Sequence, residues 1–200
     1  MRVPYDTSKI NTLIMKTLST IIVLFSLFFT VSCGPESGNQ YRVTFIEDEL
    51  NNKIDVMIGG KYFTSYRWPD NVTKPVLYPI HTSAGTVITR GYPIEPRVGE
   101  RVDHAHQIGM WLTYGNVNGY DFWGNGSRGL GTRNENGGVI EHLSVEKISE
   151  GKGEGTLVTK ESWVDPSGEE LFAENSEYHF IADGDIWIID RITTLTATNG

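Results

Sequence analysis

Between residues 139 and 197 stand four long runs rich in β-branched and aromatic residues, separated by three clusters of turn formers. The runs cover 139–149, 155–164, 170–181 and 186–197. The closures are Glu150-Gly-Lys-Gly-Glu154, Asp165-Pro-Ser-Gly168 and Asp183-Gly-Asp185. Each closure carries turn chemistry, because Gly accepts positive φ, Pro presets φ and Asp bonds its own backbone two residues on. Leu157, Thr159, Glu161 and Trp163 recur at every second residue, the period at which a strand shows one face. No stretch holds apolar spacing of three and four, and the chain has five alanines, so almost no helix is expected beyond the N-terminal segment. Strands of about ten residues, longer than the usual five or six, joined by tight turns make an antiparallel meander. Such a sheet must bury one face. An all-β fold, an antiparallel β-sandwich, follows.

Upstream the same signals continue. Ile54, Val56 and Ile58 alternate with polar residues, Gly59-Gly60 follows, and Tyr62-Phe-Thr-Ser-Tyr66 resumes the β pattern. Two β-rich runs around Gly-Gly predict a hairpin, because glycine tolerates the positive φ that tight hairpin turns need. Val76-Leu-Tyr78 and Thr86-Val-Ile-Thr89 flank Ser83-Ala-Gly85 in the same way. The sequence ends at Gly200 directly after a strongly patterned strand. An uncapped edge strand is an aggregation hazard, so the domain is expected to be a truncated, incomplete sandwich or to have its edge covered by another chain.

The N-terminus reads as an address. Lys16 supplies a positive flank, residues 21–31 form an apolar run, and Ser32 precedes Cys33, the only cysteine. The run is shorter than the roughly 20 apolar residues of a transmembrane helix and has the form of an export signal. Thr30-Val-Ser-Cys33 resembles a bacterial lipobox, although Thr30 stands where leucine is usual. Cys33 is therefore the expected lipidation site, with an ordinary signal peptide as the alternative. Two or three acyl chains, at about 0.8 kcal/mol per buried methylene, would anchor the chain stably in a membrane. Met15 is a candidate true start. The organisation expected is a signal over 1–32, a lipid-anchor tether over 33–40, and a β-sandwich domain over 41–200, located at the cell envelope, periplasmic or on the surface.

Without the first 32 residues the chain loses Arg2, Lys9, Lys16 and Asp6, which leaves 14 basic and 24 acidic side chains and a net charge of −10. Nucleic acid is an unsuitable partner for that balance, because phosphate backbones demand clustered Lys and Arg. No cysteine follows Cys33, so disulfides cannot brace the domain.

Chemistry-bearing residues concentrate between Arg90 and Gly126. In extended backbone, residues two apart share a face, so His104 and His106 are expected to present two imidazoles to one side. Three readings stay open. A metal site would join His104 and His106 to a third ligand, His81, His142 or Glu141. A catalytic or sugar-binding site would use a histidine as acid or base, with Glu141 or His142 as partner, and Trp111, Tyr114, Tyr120 or Trp123 stacking on a pyranose. In the third, the histidines only hydrogen-bond and the aromatics only pack. Arg90 could hold the carboxylate of an acidic sugar. The favoured reading of Arg90, Arg97 and Arg101 is pairing with Glu95, Glu100 and Asp103. His179 reads as an ordinary strand residue. Gly124-Asn-Gly-Ser-Arg-Gly129 matches a dinucleotide pattern in form only, because no helix pattern follows it. The glycine- and asparagine-rich stretch through Gly138 reads as a loop able to cover the histidines.

Tyr78-Pro-Ile80, Thr89-Arg-Gly-Tyr-Pro93, Asp103-His-Ala-His-Gln-Ile-Gly-Met-Trp111 and Gly115-Asn-Val-Asn-Gly-Tyr-Asp-Phe-Trp123 resemble the bacterial PmoA-type family, labelled methane oxygenase and in effect a domain of unknown function. The resemblance runs from about Lys53 to the end. The family segment reads Asp-His-Pro-His-His, whereas Ala105 and Gln107 stand here in place of the proline and the third histidine. Members continue beyond the point at which this chain ends, which implies a missing C-terminal part. After the signal no apolar run is long enough to span a bilayer, so the integral membrane oxygenase of that name is not implied. The meander is similar to the supersandwich of galactose-mutarotase-like proteins, where a histidine and a carboxylate handle sugar protons. Taken with the lipobox-like segment at Cys33, this similarity points to an envelope lipoprotein that binds or modifies carbohydrate. The alternatives are a non-catalytic envelope scaffold and a metal-dependent enzyme using the His-x-His pair.

Overall fold

The computed structural model describes residues 41–125 and 134–198. The segments expected to be signal and tether, with Cys33, lie outside the described residues, as does the stretch 126–133 of the expected covering loop. Among the described residues nine strands follow one another: β1 (Arg42–Asp48), β2 (Lys53–Ile58), β3 (Lys61–Arg67), β4 (Val76–Leu77), β5 (Val139–Ser149), β6 (Gly151–Lys152), β7 (Glu154–Val164), β8 (Glu170–Asp183) and β9 (Ile186–Ala197). One 3₁₀ turn, Glu49–Asn51, joins β1 to β2. Among the described residues no helix is long and apolar enough to cross a membrane.

The strands form two antiparallel sheets, ordered β4-β3-β2-β1-β6 and β5-β7-β8-β9. The hairpin expected around Gly59-Gly60 is β2–β3, and both glycines hold positive φ (57° and 76°), the conformation a two-residue turn of this hand requires. The four C-terminal runs are β5, β7, β8 and β9, paired in sequence order. The hairpin expected around Ser83-Ala-Gly85 is reduced to one bridge, His81 to Val87, beyond the two-residue β4.

Alternation places the core. Val43 of β1 and Ile54, Val56 and Ile58 of β2 face Leu157 of β7 and Tyr178, Phe180 and Ala182 of β8. Each large apolar side chain buried there stabilises the fold by roughly 1.5–3 kcal/mol. The β2–β3 register slips between Val56 and Met57, so Phe63 falls out of the ladder. That bulge lets Phe63 and Tyr66, three residues apart, both reach the core. Gly155 of β7 lies tight against β1: a Cβ there would stand 2.5 Å from Val43 Cγ1 and 2.9 Å from Phe45 Cε2. On the outward face of edge strand β9, Ile186, Ile188 and Ile192 are exposed.

Between β4 and β5 runs a long irregular segment that carries the candidate site. Attachments to both sheets hold it. Leu77 and Met110 exchange backbone hydrogen bonds of 2.9 and 3.1 Å, and Gly109 beside them has φ 56° and no room for a Cβ against the Leu77 carbonyl. Ile108 packs with Val76 and Tyr78, while Ile94 and Trp111 lean on that cluster. Val117 and Phe122 pack with Ile140, Trp163 and Leu171 of the second sheet.

Candidate functional site

The histidine pair stands on a tight turn, which corrects the expectation of extended backbone. His104 has φ 49°, and the Gln107 amide donates to the His104 carbonyl at 3.0 Å. Buried Ala105 anchors the turn from below. The turn still brings the imidazoles together, with ring centroids 5.7 Å apart. The His104 side chain is 56 % exposed, and its Nδ1 lies 3.1 Å from Asp103 Oδ2. His106 is half-buried, and its Nδ1 is enclosed without a hydrogen-bond partner among the described residues.

Arg90 builds this turn. Its guanidinium donates to Asp103 Oδ1 (3.1 Å) and to the carbonyls of His104 (2.9 Å) and Gln107 (3.3 Å). The substrate-binding role expected for Arg90 is corrected accordingly, since its donors are engaged by the chain itself. Arg101 pairs with Asp103 at 2.7 Å and Arg97 with Glu100 at 3.2 Å, the pairing favoured for these arginines.

Two tryptophans flank the pair. The Trp123 ring is 6.3 Å from that of His106 and 4.9 Å from that of Trp111. Trp123 is 44 % exposed, whereas Trp111 is half-buried. Asp121 sets the position of Trp123, because its Oδ1 accepts from the amides of Trp123 (2.9 Å) and Gly124 (2.8 Å).

Beneath these rings lies a group that the sequence reading missed. Lys74 is buried, with Nζ 4.1 Å from the centre of the Trp111 ring and 3.5 Å from the Trp123 carbonyl. Burial pulls its pKa down to about 8, against the favourable charge of Asp121. Burial also lowers the pKa of His106, and the charges of Lys74, His104 and Arg90 act in the same direction, with Asp121 opposing. The signal for Lys74 was a lysine set directly against the apolar run Pro75-Val-Leu-Tyr78. A charge so placed is either drawn out to solvent or held inside for use.

The other expected site residues lie elsewhere. β5 alternates, so Glu141 faces solvent and His142 faces inward. The His142 ring packs on Trp68 at 4.1 Å and against Tyr66 at 5.5 Å. The contacts of His142 are thus with Trp68 and Tyr66, and the rings beside His104 and His106 are those of Trp123 and Trp111. Tyr114 is 67 % exposed and lines a different depression, of about 390 Å³, with Leu112, Asn118, Phe172 and Leu195. Of the other third ligands considered for a metal, His81 packs against Tyr62 at 5.0 Å. Among the described residues no three His, Cys, Asp or Glu side chains converge on a metal position, so the pair has no third ligand there. His179, on β8, bonds Glu154 and Glu177, as an ordinary strand residue does.

A second polar group lies inside the sandwich. Glu161, at an inward position of β7, accepts 2.7 Å from Tyr66 Oη, which is 3.0 Å from His142 Nδ1. Glu174, facing Glu161 across the β7–β8 ladder, accepts from Arg191 (2.5 Å), Ser176 (2.6 Å) and Trp163 (2.6 Å). Burial, reinforced by Glu174, pushes Glu161 up to about 7, and burial holds His142 down at about 4.

Comparison with known proteins gives a family. The chain belongs to a family of unknown function, DUF6807, which matches residues 53–200. No curated protein and no solved structure matches it.

Proposed function

We propose that this member of a family of unknown function is a cell-envelope lipoprotein, anchored through Cys33, that binds carbohydrate and transfers protons at its histidine pair. One observation carries the reading: the exposed imidazole of His104 and the half-buried one of His106 lie 5.7 Å apart, beside the exposed indole of Trp123. An indole face is the surface on which a pyranose stacks, and an imidazole beside it can reach a ring hydroxyl. His106, with its pKa lowered, is neutral at pH 7 and able to accept a proton. His104, with its Nδ1 3.1 Å from Asp103 Oδ2, supplies the second imidazole of the pair. The kinship with PmoA-type proteins, drawn from Asp103-His-Ala-His106 and Gly115-Asn-Val-Asn-Gly-Tyr-Asp-Phe-Trp123, is part of the same reading.

Two measurements test it. Titration of the chain with a panel of neutral and acidic oligosaccharides should change its tryptophan fluorescence. Trp123→Ala should weaken that response about tenfold or more, as loss of a stacking anchor does, and His106→Ala should abolish any turnover. A panel without response removes the carbohydrate reading. Separately, cells fed labelled palmitate should label the chain, and Cys33→Ser should release it unlabelled; an unlabelled parent chain removes the anchor.

A further inference from the structure

Lys74 is buried, yet among the described residues no carboxylate stands in ion-pair contact with it. Its three N–H donors have one acceptor, the Trp123 carbonyl at 3.5 Å, and the Trp111 ring supplies the other support. Asp121 lies near enough to favour the charge, but its Oδ1 is engaged by two backbone amides. Burying a cation without a counter-ion is costly, and chains keep such groups where a ligand completes them. The second unfinished group borders the same residue. His106 Nδ1 is enclosed and unpartnered, and its ring faces Trp123 at 6.3 Å. Among the described residues the other cations of the segment are engaged: Arg90 and Arg101 with Asp103, and Arg97 with Glu100. Lys74 is thus the cation, among the described residues of the site, left for an incoming anion.

We propose that the sugar bound here is a uronic acid, whose carboxylate accepts hydrogen bonds from Lys74 Nζ and His106 Nδ1 while its ring lies on the Trp123 indole. The inference rests on the carbohydrate reading above and names its substrate class. A carboxylate offers two oxygens in one plane, one for each donor, and its single charge matches the one cation left unengaged among the described residues. A phosphate dianion would call for a second cation, which Arg90, Arg97 and Arg101, engaged as they are, do not supply.

The test is a fluorescence titration of the full chain with oligosaccharides of glucuronate, galacturonate and mannuronate, with their methyl esters, and with the sulfate esters of the matching neutral sugars. At least one acid should bind about tenfold or more tightly than its own ester and than the sulfate. Lys74→Met, which keeps the apolar stem and removes the charge, should erase that preference. If Lys74→Met fails to fold, the acid–ester comparison on the unaltered chain decides alone. Equal binding of acid and ester overturns the anion assignment and leaves the carbohydrate reading standing. Tighter binding of the sulfate overturns the carboxylate. A panel in which no sugar binds overturns both readings.

Discussion

Arg191→Met should cost the fold about 3 kcal/mol at pH 7, the lower end of what removing one partner from a buried ion pair costs. Glu174 is the reason. Its side chain is 1 % exposed and Arg191's is 12 %, so the pair sits in the sandwich with little water at the arginine end. Arg191 Nη2 donates to Glu174 Oε1 at 2.5 Å, and Arg191 Nε donates to Thr193 at 3.0 Å. Methionine preserves the packing of the stem against Tyr178, whose ring lies 5.0 Å from the guanidinium carbon. It leaves a carboxylate that only Ser176 and Trp163 serve. The position of Arg191 on edge strand β9 admits some water, which keeps the cost at the lower end. Urea unfolding of Arg191→Met, Glu174→Gln and the double variant measures the coupling. The double variant should recover much of the loss, because no buried charge is then left alone. A single-variant loss under about 0.5 kcal/mol, the scale of a surface pair, would mean that the pair is solvated.

The fold was largely legible in the sequence, and the reason is local. The turn closures Asp165-Pro-Ser-Gly168 and Asp183-Gly-Asp185 and the period-two runs beside them set β7, β8 and β9 without help from distant residues. What local pattern cannot carry is partnership between distant segments. β1 drew no notice. β6 lies inside a glycine closure and exists only because Val43 and Arg42 pair with Gly151 and Lys152. The site was half legible for the same reason. His104, His106, Trp111 and Trp123 share one stretch of sequence, whereas Lys74 comes from the far side of β4 and joins them only once Leu77 and Met110 pair. The geometry of the pair was misjudged because Asp103-His-Ala-His106 carries no turn-forming glycine or proline. His104 takes the left-handed conformation itself, one that histidine tolerates better than bulkier side chains do. Glu161 was in plain view at an inward position between Thr159 and Trp163. A charge on the buried face of a strand is the sequence signal of an interior polar network.

That interior charge makes the second large prediction: Glu161→Gln should stabilise the protein above pH 7 and leave it unchanged near pH 4. Glu161 is 2 % exposed, and its Oε2 has no partner among the described residues. Tyr66 Oη donates to Glu161 Oε1, so the hydroxyl can only accept from His142, whose neutral ring then carries its proton on Nδ1. The arrangement supports one oxygen of a carboxylate and leaves the other bare, facing the charge of Glu174. The folded chain therefore holds the proton to about pH 7, whereas the unfolded chain releases it near the ordinary glutamate value of 4.5. Between those values the folded state binds more protons than the unfolded state, so stability falls as pH rises. The drop is complete above pH 7 and amounts to on the order of 3 kcal/mol. Glutamine has the same shape and no charge, keeps an acceptor for Tyr66, and removes that term. Guanidinium unfolding of both chains at pH 4, 5.5, 7 and 8.5 should give curves that coincide at the acid end and separate steadily towards pH 7, with the glutamine variant the more stable. Parallel curves over the whole range would show that Glu161 is ionised in the folded chain, with water reaching the oxygen left bare here.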